Sequence, residues 1–86
     1  MGINCKLTNE QSFLINKVCE QGYIYTLFEY WGPDGEKVYD KHRVNVDQII
    51  VRYTRTKAIV KIIVIDYTVY DEYYLEDFAG TWWLNE

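Results

Sequence analysis

Apolar positions along this chain follow a helical period near the start and a period of two through most of the rest. Leu14, Ile15 and Val18 recur at helical spacing, with Phe13 and Cys19 widening the stripe. Ahead of them Thr8 is followed three residues later by Gln11. This is a capping-box pattern, in which the hydroxyl and the side-chain amide satisfy N–H groups that a helix start leaves orphaned. Gly22 stands where a left-handed residue ends a helix. Together these signals predict a helix over 9–21.

From Tyr23 to Trp31 nearly every residue is aromatic, β-branched or aliphatic, the composition of a pleated, half-buried strand. Gly32-Pro33-Asp34-Gly35 supplies turn chemistry, since proline presets one dihedral and glycine accepts positive φ. A second, more polar strand is expected over 37–43, with 44–47 as a connection. Ile49, Val51 and Tyr53 then alternate with Ile50, Arg52 and Thr54, which predicts a third strand with one polar face. After a turn at 54–57, residues 58–67 form a fourth strand. Its Ile62-Ile63-Val64-Ile65 run is apolar on both faces, as in the centre of a sheet.

Beyond Tyr70 the period changes. Tyr74, Leu75 and Phe78 share a helical face, Asp71 can cap and Gly80 can terminate, so a short helix over 72–79 is expected. The competing reading continues Tyr67–Tyr74 as an exposed edge of the sheet. Trp82, Trp83 and Leu84 are expected to fold back over the core, because a free tail would expose two large rings. The fold class is therefore α+β: an N-terminal helix packed on a four-stranded, mostly antiparallel sheet, with a short C-terminal helix. A single domain spans 1–86.

Composition adds three constraints. Apolar residues make up 49% and aromatics 17%, too many for a chain that stays disordered. At this length a domain buries only about 60–65% of the surface its unfolded chain exposes, so a protein partner or a homo-oligomer would help to cover the remainder. Charge is also divided: all nine Lys and Arg lie at or before Lys61, against seven carboxylates, whereas the remaining 25 residues hold six carboxylates and no cation. The net charge of −4 disfavours non-specific attachment to phosphate backbones, so nucleic acid is not the expected partner and a protein with a basic surface is.

No apolar run approaches the roughly 20 residues of a membrane span. The chain start lacks the basic and then apolar segments of a secretion signal, and a cytoplasmic location is expected. Gly2 stands where myristoylation begins, but Lys6 replaces the hydroxyl residue of that pattern. Cys5 and Cys19 are expected to stay reduced, with Cys19 as a small buried hydrophobe on the helix.

Candidate chemistry is sparse. His42 is flanked by Lys41 and Arg43, with only Asp40 nearby in sequence to orient it, which suits a solvated surface residue better than a general base. One imidazole and two thiols make no zinc cluster, and the acids lack the spacing of a calcium loop, so neither metal nor cofactor is expected. Gly32 and Gly35 mark a turn; no third glycine and no Lys-Ser/Thr follow to cradle phosphate. An enzyme is the least expected class. Arg52, Arg55, Lys57 and Lys61 beside Tyr53 could pair phosphates and stack a base, although cationic hairpin tips also protect a sheet from edge-to-edge association.

The acidic, aromatic C-terminal quarter is the main functional feature. Asp66, Tyr67, Tyr70, Asp71, Glu72, Tyr73, Tyr74, Glu76 and Asp77 combine carboxylates with the kind of ring that interfaces collect. In size, acidity and lack of catalytic residues the chain resembles the small acidic inhibitors that phages and mobile elements direct against host nucleic-acid enzymes, anti-CRISPR proteins among them. That resemblance implies a partner whose basic nucleic-acid groove is occupied by the carboxylates as phosphate mimics, with Tyr and Trp as apolar anchors. Two alternatives stand beside it. One is a self-assembling structural or regulatory subunit, in which the basic hairpin of one copy meets the acidic tail of another. The other is a weak nucleic-acid binder acting through Arg52–Lys61.

Overall fold

Thr8 and Gln11 make both halves of the capping box: Thr8 Oγ1 accepts from the Gln11 N–H at 3.0 Å, and Gln11 Oε1 accepts from the Thr8 N–H at 2.9 Å. They open helix α1, Asn9–Gln21, which Gly22 ends at φ 76° with its N–H donated to the Val18 carbonyl. The computed structural model describes residues 6–86, so the Cys5 thiol and the Gly2 position lie outside the described residues. The stripe that α1 buries is narrower than expected. Leu14 and Val18 are buried, but Phe13 and Cys19 are exposed, because each neighbouring residue is rotated about 100° around the helix axis. Cys19 is a surface thiol, not a buried hydrophobe.

Five strands form one antiparallel sheet in the order β4-β3-β2-β1-β5. They are β1 Tyr23–Trp31, β2 Lys37–Tyr53, β3 Ala58–Asp66, β4 Val69–Tyr74 and β5 Trp82–Trp83. The expected count of four strands is corrected in two places. The second and third expected strands are one strand of 17 residues, since 44–47 stays in the ladder instead of connecting. A register shift between Val46 and Gln48 leaves Asp47 as an extra residue. That bulge moves the core face from Val44 and Val46 to Ile49 and Val51.

The second correction concerns the expected helix over 72–79, which is β4 followed by a single 3-10 turn, Leu75–Asp77. Residues 69–74 pair with β3 from Asp66↔Val69 to Lys61↔Tyr74. Tyrosines set against a central apolar strand gain cross-strand packing that outweighs a weak local helical signal. β5 adds the fifth strand by pairing Thr26↔Trp82 and Tyr25↔Trp83.

The core joins Leu14 and Val18 to Ile24, Val44, Val60, Ile62, Val64, Leu75 and Trp82. Trp82 is fully buried and its indole N–H donates to the Tyr74 carbonyl at 2.8 Å, so the tail closes the core as its rings required. Element lengths then set what stays uncovered. A helix of 13 residues is about 20 Å long, whereas a strand of 17 residues runs to about 56 Å. The molecule measures 61 × 22 × 22 Å. One short helix thus covers part of one sheet face and none of the other.

Candidate functional site: an acid-lined groove beside a free strand edge

Alternation along β4 divides the nine candidate residues. Asp71 and Tyr73 pair with buried Val64 and Ile62, which places them on the helix side of the sheet. Tyr70, Glu72 and Tyr74 point to the opposite face. Asp66 ends β3, and Tyr67 forms the turn into β4 at φ 56°, 91% exposed. Glu76 and Asp77 sit on the 3-10 turn, with Glu76 close to the start of α1. Several acids already have partners within the chain: Glu72 lies 3.1 Å from Lys61, Glu76 3.8 Å from Lys57, and Asp66 2.9 Å from His42 Nε2. The carboxylates form no continuous row.

Four of the nine, Asp66, Tyr67, Asp71 and Tyr73, do come together. Past the end of α1, the helix side of the sheet opens into a groove of about 310 Å³ lined by these residues with Phe28 and His42. The β1–β2 ladder sets Thr26 opposite His42 and Phe28 opposite Asp40. The Phe28 ring lies 5.6 Å from the His42 ring and 5.9 Å from that of Tyr30. Tyr30 donates to Asp40 at 2.8 Å, and that hydrogen bond holds its phenol above the ordinary range. Burial pushes the Tyr73 phenol up, a hydrogen bond with Thr26 pulls it down, and the Asp71 carboxylate pushes it up again. Both rings are therefore neutral, hydrogen-bonding groups at physiological pH.

Among the described residues no Lys or Arg lines this groove. Its charge is that of Asp66 and Asp71, with Asp40 beside it and only the His42 imidazole as a counterweight. The His42–Asp66 pair is the feature that sequence reasoning missed. The two residues are 24 apart in the chain, and only the β2–β3 pairing, which brings Asn45 opposite Ile65, carries one to the other. No local pattern could have signalled it.

The groove runs along an open boundary. β4 pairs with β3 alone, so its outer row of backbone N–H and C=O groups has no ladder partner. Rings stand on both sides of this edge, Tyr73 toward the groove and Tyr70 and Tyr74 behind it. Among the described residues, no group of His, Cys, Asp and Glu could hold a metal ion, and no helix is long and apolar enough to cross a membrane. Comparison with protein-family models, with curated proteins and with solved structures finds no match for the chain.

Proposed function

We propose that this chain is a small protein-binding module that adds an extended segment of a basic partner to β4 and seats cationic side chains of that segment in the adjoining groove. The observation that carries the reading is the juxtaposition of an unpaired strand edge with an uncovered groove lined by Asp66, Asp71, Tyr73 and Phe28. Strand addition draws affinity from main-chain hydrogen bonds and specificity from pockets that receive alternate side chains. Alternate residues of an added strand would face Asp71 and Tyr73, while those between them would meet Tyr70 and Tyr74. Inhibition of a host nucleic-acid enzyme through one of its basic strands or loops belongs to this class. Recognition of that kind uses the acids one or two at a time. It is better supported than a phosphate-mimicking row, because β4 sends Asp71 and Glu72 to opposite faces.

The test is affinity capture from cell lysate on the immobilised chain, comparing Asp66→Asn with Asp71→Asn in one double variant and Glu76→Gln with Asp77→Asn in another. A basic partner is expected to be lost about tenfold or more from the groove variant, since charge pairs in a partly desolvated site are costly to break. It should be retained by the variant of the 3-10 turn, and recovery should fall as salt is raised from about 0.1 M to about 0.5 M. Equal recovery on the two variants rules the groove out.

A further inference from the structure

The sheet face turned away from α1 carries the opposite charge. Lys37, Lys41, Arg43, Arg52 and Lys61 project from it against Glu29 and Glu72, a local surplus of three positive charges in a chain of net charge −4. On its β1–β2 half the ladder sets Trp31 opposite Lys37, Glu29 opposite Tyr39, Leu27 opposite Lys41 and Tyr25 opposite Arg43. Trp83 extends this strip beside Tyr25. The Arg43 guanidinium lies 3.7 Å from the Tyr23 ring centre, Lys41 Nζ 4.5 Å from that of Trp83 and Lys37 Nζ 5.6 Å from that of Trp31. Trp31 is 69% exposed and Tyr39 53%, with no element of the described chain above them. Glu29, the strip's carboxylate among the described residues, is bound to Lys37.

The occupant of this strip must be anionic and must have flat surfaces of its own. A second copy applied through the same face would set positive surplus against positive surplus, and a basic segment of the kind argued for β4 would be repelled. An acidic peptide answers the cations but leaves exposed Trp31 and Tyr39 without a matching partner. Unstacked nucleobases answer both features, since bases lie on aromatic rings or on guanidinium planes while phosphates pair with the cations between them.

We propose that the β1–β2 strip is a platform for single-stranded nucleic acid. It is separate from the acid-lined groove behind it and from the Arg52–Lys61 hairpin. Bases stack on Trp31, Tyr39 and the Arg43–Tyr23 pair, and Lys41 and Arg43 contact the backbone. The negative charge of the other face keeps the binding modest and strongly dependent on salt.

Fluorescence anisotropy with a labelled oligothymidylate of about 12 nucleotides, at low salt, tests this. Saturable binding is expected, with quenching of tryptophan emission and weaker binding to a duplex of the same length. Trp31→Ala and Tyr39→Ala should each weaken it about tenfold or more. Lys41→Ser with Arg43→Ser should lower the slope of log affinity against log salt by about one. Thermal melts by circular dichroism check the fold of each variant, and the Trp31 and Tyr39 changes lie at exposed positions. The proposal is overturned by the absence of saturable binding at low salt. It is equally overturned if Arg52→Ser with Arg55→Ser and Lys57→Ser abolishes binding while the ring variants keep it. Displacement by polyglutamate with no effect of the ring variants would assign the strip to an acidic protein instead.

Discussion

Tyr73 and His42 show how single residues acquire roles here that their neighbours in the chain do not announce. His42 and Asp66 are each about two-fifths exposed (41% and 42%), so their pairing is worth at most about 1 kcal/mol and matters more for orienting the groove than for stability. Tyr73 is half-buried, and burial, ahead of the opposing Thr26 bond and the Asp71 charge, raises its phenol above the ordinary value of 10.0. A phenol raised in the folded state contributes stability that is complete below its unfolded value and is lost as pH climbs through the folded one. The melting temperature should therefore fall above a pH of about 10, and Tyr73→Phe should fall less steeply over that window. Circular dichroism melts across alkaline pH check this; parallel curves would remove Tyr73 as a cause. Tyr30, raised by its bond to Asp40, acts in the same direction and sets the slope that remains.

Among the elements, the β3–β4 connection carries visible backbone strain. Tyr67 stands at φ 56° and is almost fully exposed, a conformation that costs a bulky residue about 1–2 kcal/mol. Glycine there removes the strain but adds unfolded-state entropy of about 0.4–1 kcal/mol. Tyr67→Gly should thus gain roughly 0.5–1 kcal/mol, or about 2–8 °C in melting temperature for a domain of this size. Strain kept at the rim of a groove is accounted for if the ring serves a contact, so the same variant should capture less of the basic partner. A stabilised variant with undiminished capture would separate Tyr67 from the site. The helix bounds were legible at both ends, because Thr8, Gln11 and Gly22 act within one turn of each other. Residues 72–79 were not, because their conformation depends on β3 lying alongside.

The whole molecule is long for its mass. Its radius of gyration is 15.3 Å, against about 12 Å for a compact domain of this length. The cause is β2, which carries the β1–β2 hairpin beyond the reach of α1. Small-angle scattering from the monomer should return a value near 15 Å; one near 12 Å would mean that the hairpin folds in and closes the groove. Elongation also explains the many exposed rings, since a sheet this long has more area than one helix can cover, and uncovered apolar surface of that extent marks contact sites. The sheet further separates charge by face, acids along the groove and cations on the opposite side. The two halves of the sequence differ in net charge, but this division cuts across them: Asp40 and Lys41 are adjacent in the chain and lie on opposite faces.

Local signals determined a good deal. The capping box, the closing glycine, the Gly-Pro-Asp-Gly turn and the apolar run of β3 are decided within a few residues by backbone sterics and hydrogen bonding, and each appears where its residues stand. The step from Val44 and Val46 to Ile49 and Val51 was also present as a change of phase, although a bulge and a connection leave the same trace in a single chain. Tertiary structure alone decided that Val69–Tyr74 is a strand, that Asp66 meets His42, and that the acids of the C-terminal quarter divide between two faces. The physical reason is common to all three. Strand pairing is a contact between distant segments, and the partner's register, not the local period, sets which way each side chain points.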